Sequence, residues 1–116
     1  MKKTKMLKKN YEFSNVFSRG TYYSGEAIEA FILNNGKNSN YLGLAVSSKV
    51  GHAFQRNRIK RLLRENYAYY EENISIGKSI VFLVKKKVNI ENIDFYQVKK
   101  DMQKILEKSN LLKENI

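Results

Sequence analysis

A small two-layer α+β sandwich, a mixed sheet of about four strands packed by three helices, is the fold that the sequence predicts. Three observations predict it. Ala27 to Leu33 and Tyr41 to Ser48 read as strands, each with an apolar set at every second residue (Ile28, Ala30 and Ile32; Leu42, Leu44 and Val46), and Ser79 to Val84 is an almost continuously apolar run of strand length. Segments beginning near Asn10, Ala53 and Asp94 repeat apolar residues at i, i+3 and i+4, the helical period. Asn- and Gly-rich punctuation separates these segments, and 116 residues suit a single domain, 1–116, with one modest core. The predicted order is αβββαβα, with the helices chiefly on one face of the sheet.

Residues 1–9 hold five Lys, no acid and no apolar period, which predicts a flexible basic arm. The first helix opens with Asn10 as N-cap and Glu12 in its first turn. It presents Phe13, Val16 and Phe17 on one face and stops at Arg19 and Gly20. Core packing is the ordinary reading of its Phe pair. Thr21 to Ser24 forms a short extended piece. In the strand from Ala27, Ile28, Ala30 and Ile32 face one side, and Glu29, Phe31 and Leu33 face the other. NNGKNSN, residues 34–40, is the clearest loop, so the strands beside it are expected to pair as an antiparallel hairpin. Leu42, Leu44 and Val46 make the apolar side of the second strand. A helix follows from Ala53 to near Glu72, with Ile59, Leu62, Leu63, Asn66, Tyr69 and Tyr70 on its packing side. Ser79 to Val84, apolar on both faces, predicts a central strand. Asp94, with Gln97 three residues later, opens a last helix to about Ser109 whose core stripe is Phe95, Val98, Met102, Ile105 and Leu106.

Charge is located rather than spread. The formal net charge is +11, of which residues 1–9 supply +5 and Lys49 to Arg64 supply +6; the remaining acidic and basic residues cancel. Within the second stretch, KVGHAFQRNRIKRLLR, there is no carboxylate, and Arg56, Asn57, Lys60, Arg61 and Arg64 share one helical arc with Arg58 outside it. A solvated charged face is the bland alternative, but an Arg-rich arc with no acid of its own is the footprint of a polyanion site. Interleaved Phe and Tyr, able to stack on unpaired bases, favour single-stranded or irregular RNA over duplex DNA. Autonomous catalysis has little support. Cysteine is absent, the lone His52 reads as a helix-entry residue, Glu71 and Glu72 point about 100° apart on a helix, and no Gly-rich phosphate loop occurs. Neither a secretory h-region nor an apolar run of about 18 residues is present, so a cytoplasmic, non-membrane protein is expected.

Arg56-Asn57-Arg58-Ile59-Lys60-Arg61-Leu62-Leu63-Arg64 resembles the RNR signature of the protein subunit of bacterial ribonuclease P. Two further blocks carry the resemblance: Leu7-Lys8-Lys9-Asn10 with Phe13, Val16, Phe17 and Gly20, and Leu42-Gly43-Leu44-Ala45-Val46-Ser47 followed by Lys49-Val50-Gly51. The similarity covers roughly residues 7–109 in the family's order. It implies a ribosomal protein S5 domain 2-like fold in which the basic helix joins two parallel strands by a left-handed βαβ crossover, against the usual hand. It also implies a ribozyme partner whose bound Mg²⁺ drives removal of the 5′ leader from precursor tRNA, the protein acting as a monomer in a 1:1 ribonucleoprotein. On matching positions, Arg56, Asn57, Arg58, Lys60, Arg61 and Arg64 would face the catalytic RNA. Phe13, Phe17 and Phe31 would line a leader cleft with Lys49 near it. Many members have two basic residues where this chain has Ser48 and then Lys49, so one cation near the cleft is missing. A stand-alone ribosomal-type RNA-binding protein is the alternative reading.

Overall fold

The structure, a computed structural model, describes residues 3–113. Its elements are β1 (Thr4–Met6), α1 (Asn10–Arg19), β2 (Thr21–Ser24), β3 (Ile28–Asn34), β4 (Asn40–Ala45), α2 (Ala53–Tyr70), β5 (Lys78–Val84) and α3 (Phe95–Lys108), with single 3₁₀ turns at Ser48–Val50, Glu71–Asn73 and Ile90–Asn92. The α+β class and the three helices are as predicted, and the mixed sheet has five strands, in the order β1-β4-β5-β3-β2.

β5 is central, as its unbroken apolar run predicts. Ile80, Phe82 and Val84 are buried on one face and Val81 on the other. This burial corrects the expected hairpin. β3 and β4 do not pair with each other: β5 lies between them, antiparallel to β3 and parallel to β4. The link between them, residues 35–39, needs to span only two strand spacings, about 10 Å, which five residues reach easily. Loop length therefore permitted either arrangement, and burying both faces of the most apolar strand decided it. The parallel β4–β5 pair is joined through α2 in a βαβ unit.

The expected basic arm is also corrected where it is described; its first two residues lie outside the described residues. Thr4–Met6 forms an edge strand parallel to β4, with Thr4 opposite Asn40 and Met6 opposite Leu42. A period-2 signal sits between the lysines: Thr4 and Met6 point toward α2, and Leu7 is buried beneath α1. Lys on an edge strand discourages pairing with a further chain.

Helices cover the sheet unequally. Ile28, Ala30, Ile32, Leu42, Ile80 and Phe82 pack on one face against Ile59, Leu63 and Tyr67 of α2 and Val98, Met102, Ile105 and Leu106 of α3. α1 crosses the opposite face, where Val16 packs with Leu7 and Val81. Glu12 secures its start by accepting hydrogen bonds from the Lys8 and Lys9 backbone N–H groups at 3.1 and 2.8 Å. These bonds hold the Glu12 carboxyl below its ordinary pKa.

One buried carboxylate fastens α3 to the sheet. Asp101 accepts from the backbone N–H groups of Glu26, Ala27 and Ile28 at 3.0, 2.8 and 3.0 Å, and from Gln97 Nε2 at 3.0 Å. Gly25 lies so close that a Cβ there would sit 2.5 Å from the Asp101 Cγ. Asp101→Ala leaves those donors without their acceptor. It should lower the urea-unfolding free energy by about 3 kcal/mol or more, since each unsatisfied buried donor costs about 1–3 kcal/mol, whereas Asp101→Asn, which keeps one acceptor, should recover part of the loss.

Candidate nucleic-acid interface

α2 begins where the chain leaves β4. Ser47 Oγ accepts from the Lys49 N–H at 3.1 Å, which closes the Ser48–Val50 turn, and Gln55 Oε1 accepts from the His52 N–H at 2.8 Å, which caps the helix. The helix buries Ile59, Leu62, Leu63, Asn66, Tyr67 and Tyr70. Tyr69, placed by periodicity on the packing side, is instead exposed under a Lys99 ammonium 4.9 Å from its ring centroid. Tyr67 takes its place, with its hydroxyl 2.8 Å from Thr4 Oγ1. Burial pushes the Tyr67 phenol up to about 12, partly offset by that hydrogen bond.

The six candidate RNA contacts separate by what their side chains already hold. Arg58 donates from Nη2 to the Ile93 carbonyl at 2.7 Å, and Arg56 from Nη1 to the Gly51 carbonyl at 2.7 Å. Both are half-buried and tie the helix to its flanking loops. Asn57, Arg61 and Arg64 are exposed, and Lys60 is half-exposed between them. Arg61 has Glu65 at 3.7 Å, an exposed i,i+4 pair of the kind worth little in water. The outward face therefore stays cationic from Asn57 to Arg64.

A second surface lies across the sheet, beside α1. Phe17 of α1 meets Phe31 of β3 edge-on, with ring centroids 5.3 Å apart at 82°. Tyr22, opposite Phe31 in the β2–β3 register, is tilted against the same ring at 5.3 Å. Phe13 packs against β4 at Gly43, where a Cβ would come within 2.6 Å of its ring. Ala45 and Leu83 complete the strip and remain half-buried. Phe17 is 36% exposed, so the pair forms an open aromatic surface and not an interior contact. Lys49 is exposed on the turn four residues beyond Ala45, with the exposed Ser48 beside it. Tyr22 was missed by sequence reasoning; alternation along a paired β2 would have found it. Its hydroxyl donates to the Glu29 carboxylate, and that bond raises the Tyr22 pKa.

A hollow of about 590 Å³ lies on the other flank of α1, between Tyr11, Asn15, Arg19, Leu33, Lys37 and Tyr41. The three Phe residues are not in its wall, because they lie on the opposite flank of α1 in an open surface strip. Such a strip suits a chain of bases laid across it better than an enclosed small molecule. Among the described residues, no three His, Asp or Glu side chains converge as a metal site, and no helix is long and apolar enough to cross a membrane.

Fold and surfaces together define a basic α+β protein with a cationic helix face on one side of the sheet and an open aromatic strip on the other. A family model for ribonuclease P matches residues 1–110. The ribonuclease P protein component of Natranaerobius thermophilus is 36% identical over 110 residues, covering 95% of this chain and 94% of the relative. The structure resembles the ribonuclease P protein of Staphylococcus aureus with a TM-score of 0.81 at 25% identity, covering 92% of this chain and 96% of that one. It resembles the protein from Thermotoga maritima with a TM-score of 0.79 at 28% identity, covering 90% and 96%. The chain belongs to the ribonuclease P protein family, the protein subunit of an endoribonuclease, and a role with RNA in tRNA 5′ processing follows from that membership.

The Tyr67 phenol has a pH consequence. Its pKa is higher in the folded protein than in the unfolded chain, so the stability it contributes is present in full below pH 10 and declines as the pH rises toward 12. Two pKa units correspond to about 2–3 kcal/mol. Tyr67→Phe should be less stable at neutral pH, through loss of the Thr4 hydrogen bond, and should show a shallower decline between pH 10 and 12 in chemical denaturation.

Proposed function

We propose that this chain serves the ribonuclease P holoenzyme by holding two RNAs at once. The exposed face of α2 docks on the catalytic RNA, with Asn57, Lys60, Arg61 and Arg64 meeting phosphates and Arg56 and Arg58 fixing the helix at the correct angle. The aromatic strip holds the single-stranded 5′ leader of precursor tRNA: bases stack on Phe17 and Phe31, Phe13 supports the strip from β4, and Lys49 neutralises leader phosphate at its end. The observation that carries this reading is the open Phe17–Phe31 contact, separated from the cationic helix by the thickness of the sheet. In this proposal the protein is a cytoplasmic monomer in a 1:1 particle.

Three of the described carboxylates are already engaged within the protein. Glu12 and Asp101 already accept backbone donors, and Glu29 accepts from Tyr22. The proposal accordingly leaves Mg²⁺ to the RNA subunit, where it supplies the hydrolytic chemistry. The protein's part is to position the substrate and to favour it over product, because the leader is present in the precursor and gone from mature tRNA.

Reconstitution with the ribonuclease P RNA subunit tests the reading. Added protein should accelerate precursor cleavage at low Mg²⁺; an unchanged rate would mean that the chain is a stand-alone RNA-binding module. Arg64→Ala should weaken binding to the RNA subunit and reduce the salt slope by about one counterion; an unaltered slope would exclude a phosphate contact. Phe17→Ala should weaken precursor binding about five- to hundredfold, from a stacking energy of about 1–3 kcal/mol per base, and leave mature tRNA unaffected. Equal weakening of both, or a large drop in melting temperature, would make Phe17 a packing residue.

A further inference from the structure

Phe54 lies in the first turn of α2 with 72% of its surface exposed. Single exposed apolar side chains are common and by themselves signify nothing. This one has two further properties. Its ring runs parallel to that of His52, 7° between planes and 6.1 Å between centroids, so the two present aligned aromatic faces. At about 100° per residue it falls roughly 20° beyond Arg61, 60° from Asn57 and 80° from Arg64 around the helix, at the edge of the outward cationic arc. Gln55, on the flank, donates to the Glu91 carboxylate at 3.1 Å, and Arg58 ties the same turn of helix to Ile93. The rings therefore stand on a fixed segment, with the cations of the arc beyond them.

We propose that Phe54, with the parallel His52 ring beside it, is a stacking platform for an unpaired base of the RNA on which α2 docks. The inference rests on the reading that the outward face of α2 meets the RNA subunit. An aromatic ring among cations is the combination that binds single-stranded nucleotides: the cations neutralise backbone phosphate, and the ring takes a base whatever its identity. The platform lies on α2, outside the aromatic strip beside α1, so it would add a contact to the RNA subunit and none to the leader.

Anisotropy titrations of the full chain with the ribonuclease P RNA subunit at several salt concentrations separate the two readings. Phe54→Ala should lower affinity about five- to hundredfold without changing the salt slope, because no phosphate contact is lost. Its melting temperature should be unchanged, since the ring is exposed. Arg64→Ala should change the slope. If Phe54→Ala binds like the parent while Arg64→Ala is weakened, the platform is wrong and the docking face stands. If neither variant is weakened, both fail. The chain contains no Trp, so Phe54→Trp introduces a single indole reporter. It should retain binding, with emission quenched at saturating RNA; bound RNA that leaves the emission unchanged overturns the proposal.

Discussion

β5 must be covered on both faces, and the arrangement of the molecule follows from that requirement. Ile80, Phe82 and Val84 need one apolar layer and Val81 another. α2 and α3 supply the first as a two-helix layer. The second falls to α1 alone, ten residues or about 15 Å of helix, against a five-stranded sheet about 20 Å across. One short helix cannot close that face. Val16 seals Val81 and Leu7, while Phe31, Leu83 and Ala45 remain half-open beside Phe13 and Phe17. The aromatic strip is thus the uncovered remainder of a core, which explains how Phe residues at ordinary core spacing come to face solvent.

The cations of α2 divide in a comparable way. Arg56 and Arg58 flank the buried arc, where each guanidinium reaches a loop carbonyl, at Gly51 and at Ile93. A guanidinium spreads its charge over a planar fork and keeps donors to spare after one such bond. These two residues therefore orient the helix without cancelling its charge. Asn57, Arg61 and Arg64, further round, face outward on a helix whose position is already fixed, which lowers the ordering cost of binding.

Periodicity made most of this legible. The three helices, the central strand, the inward set Ile28, Ala30 and Ile32, and the outward cationic arc all follow from spacing alone. The remainder depended on neighbours that local sequence does not name. Tyr67 and Tyr69 stand at similar angles on either side of the buried arc; Thr4 of β1 lies on the Tyr67 side and Lys99 of α3 on the Tyr69 side, so the choice was tertiary. β1 itself was hidden because a lysine-rich segment reads as an arm unless the two strand faces are followed separately. Which Arg residues bond to carbonyls could not be read either, because Gly51 and Ile93 reach α2 from loops whose course only the fold determines.

Two charge clusters that are far apart in sequence are neighbours in the fold. β1 carries part of the N-terminal lysine excess; the Thr4–Tyr67 bond fastens it to the C-terminal half of α2, and the Lys3 N–H just before it donates to Glu71 Oε2, in the turn after that helix, at 3.3 Å. Arg56 to Arg64 lie within the first two-thirds of the same helix. The cations of α2 are strung from Arg56 to Arg64, about 12 Å of helix, which exceeds the screening length of about 8 Å at physiological salt. On the proposed docking face, charges spread in this way serve as a series of local phosphate contacts along a path, which the same net charge gathered at one point would not provide. The aromatic strip on the opposite face has Glu29 at its margin and Glu12 on the helix beside it, both engaged by protein donors. In the proposed two-RNA arrangement, attraction there comes chiefly from ring faces while electrostatics dominates along α2, so the two faces of one sheet differ in the physical force they offer.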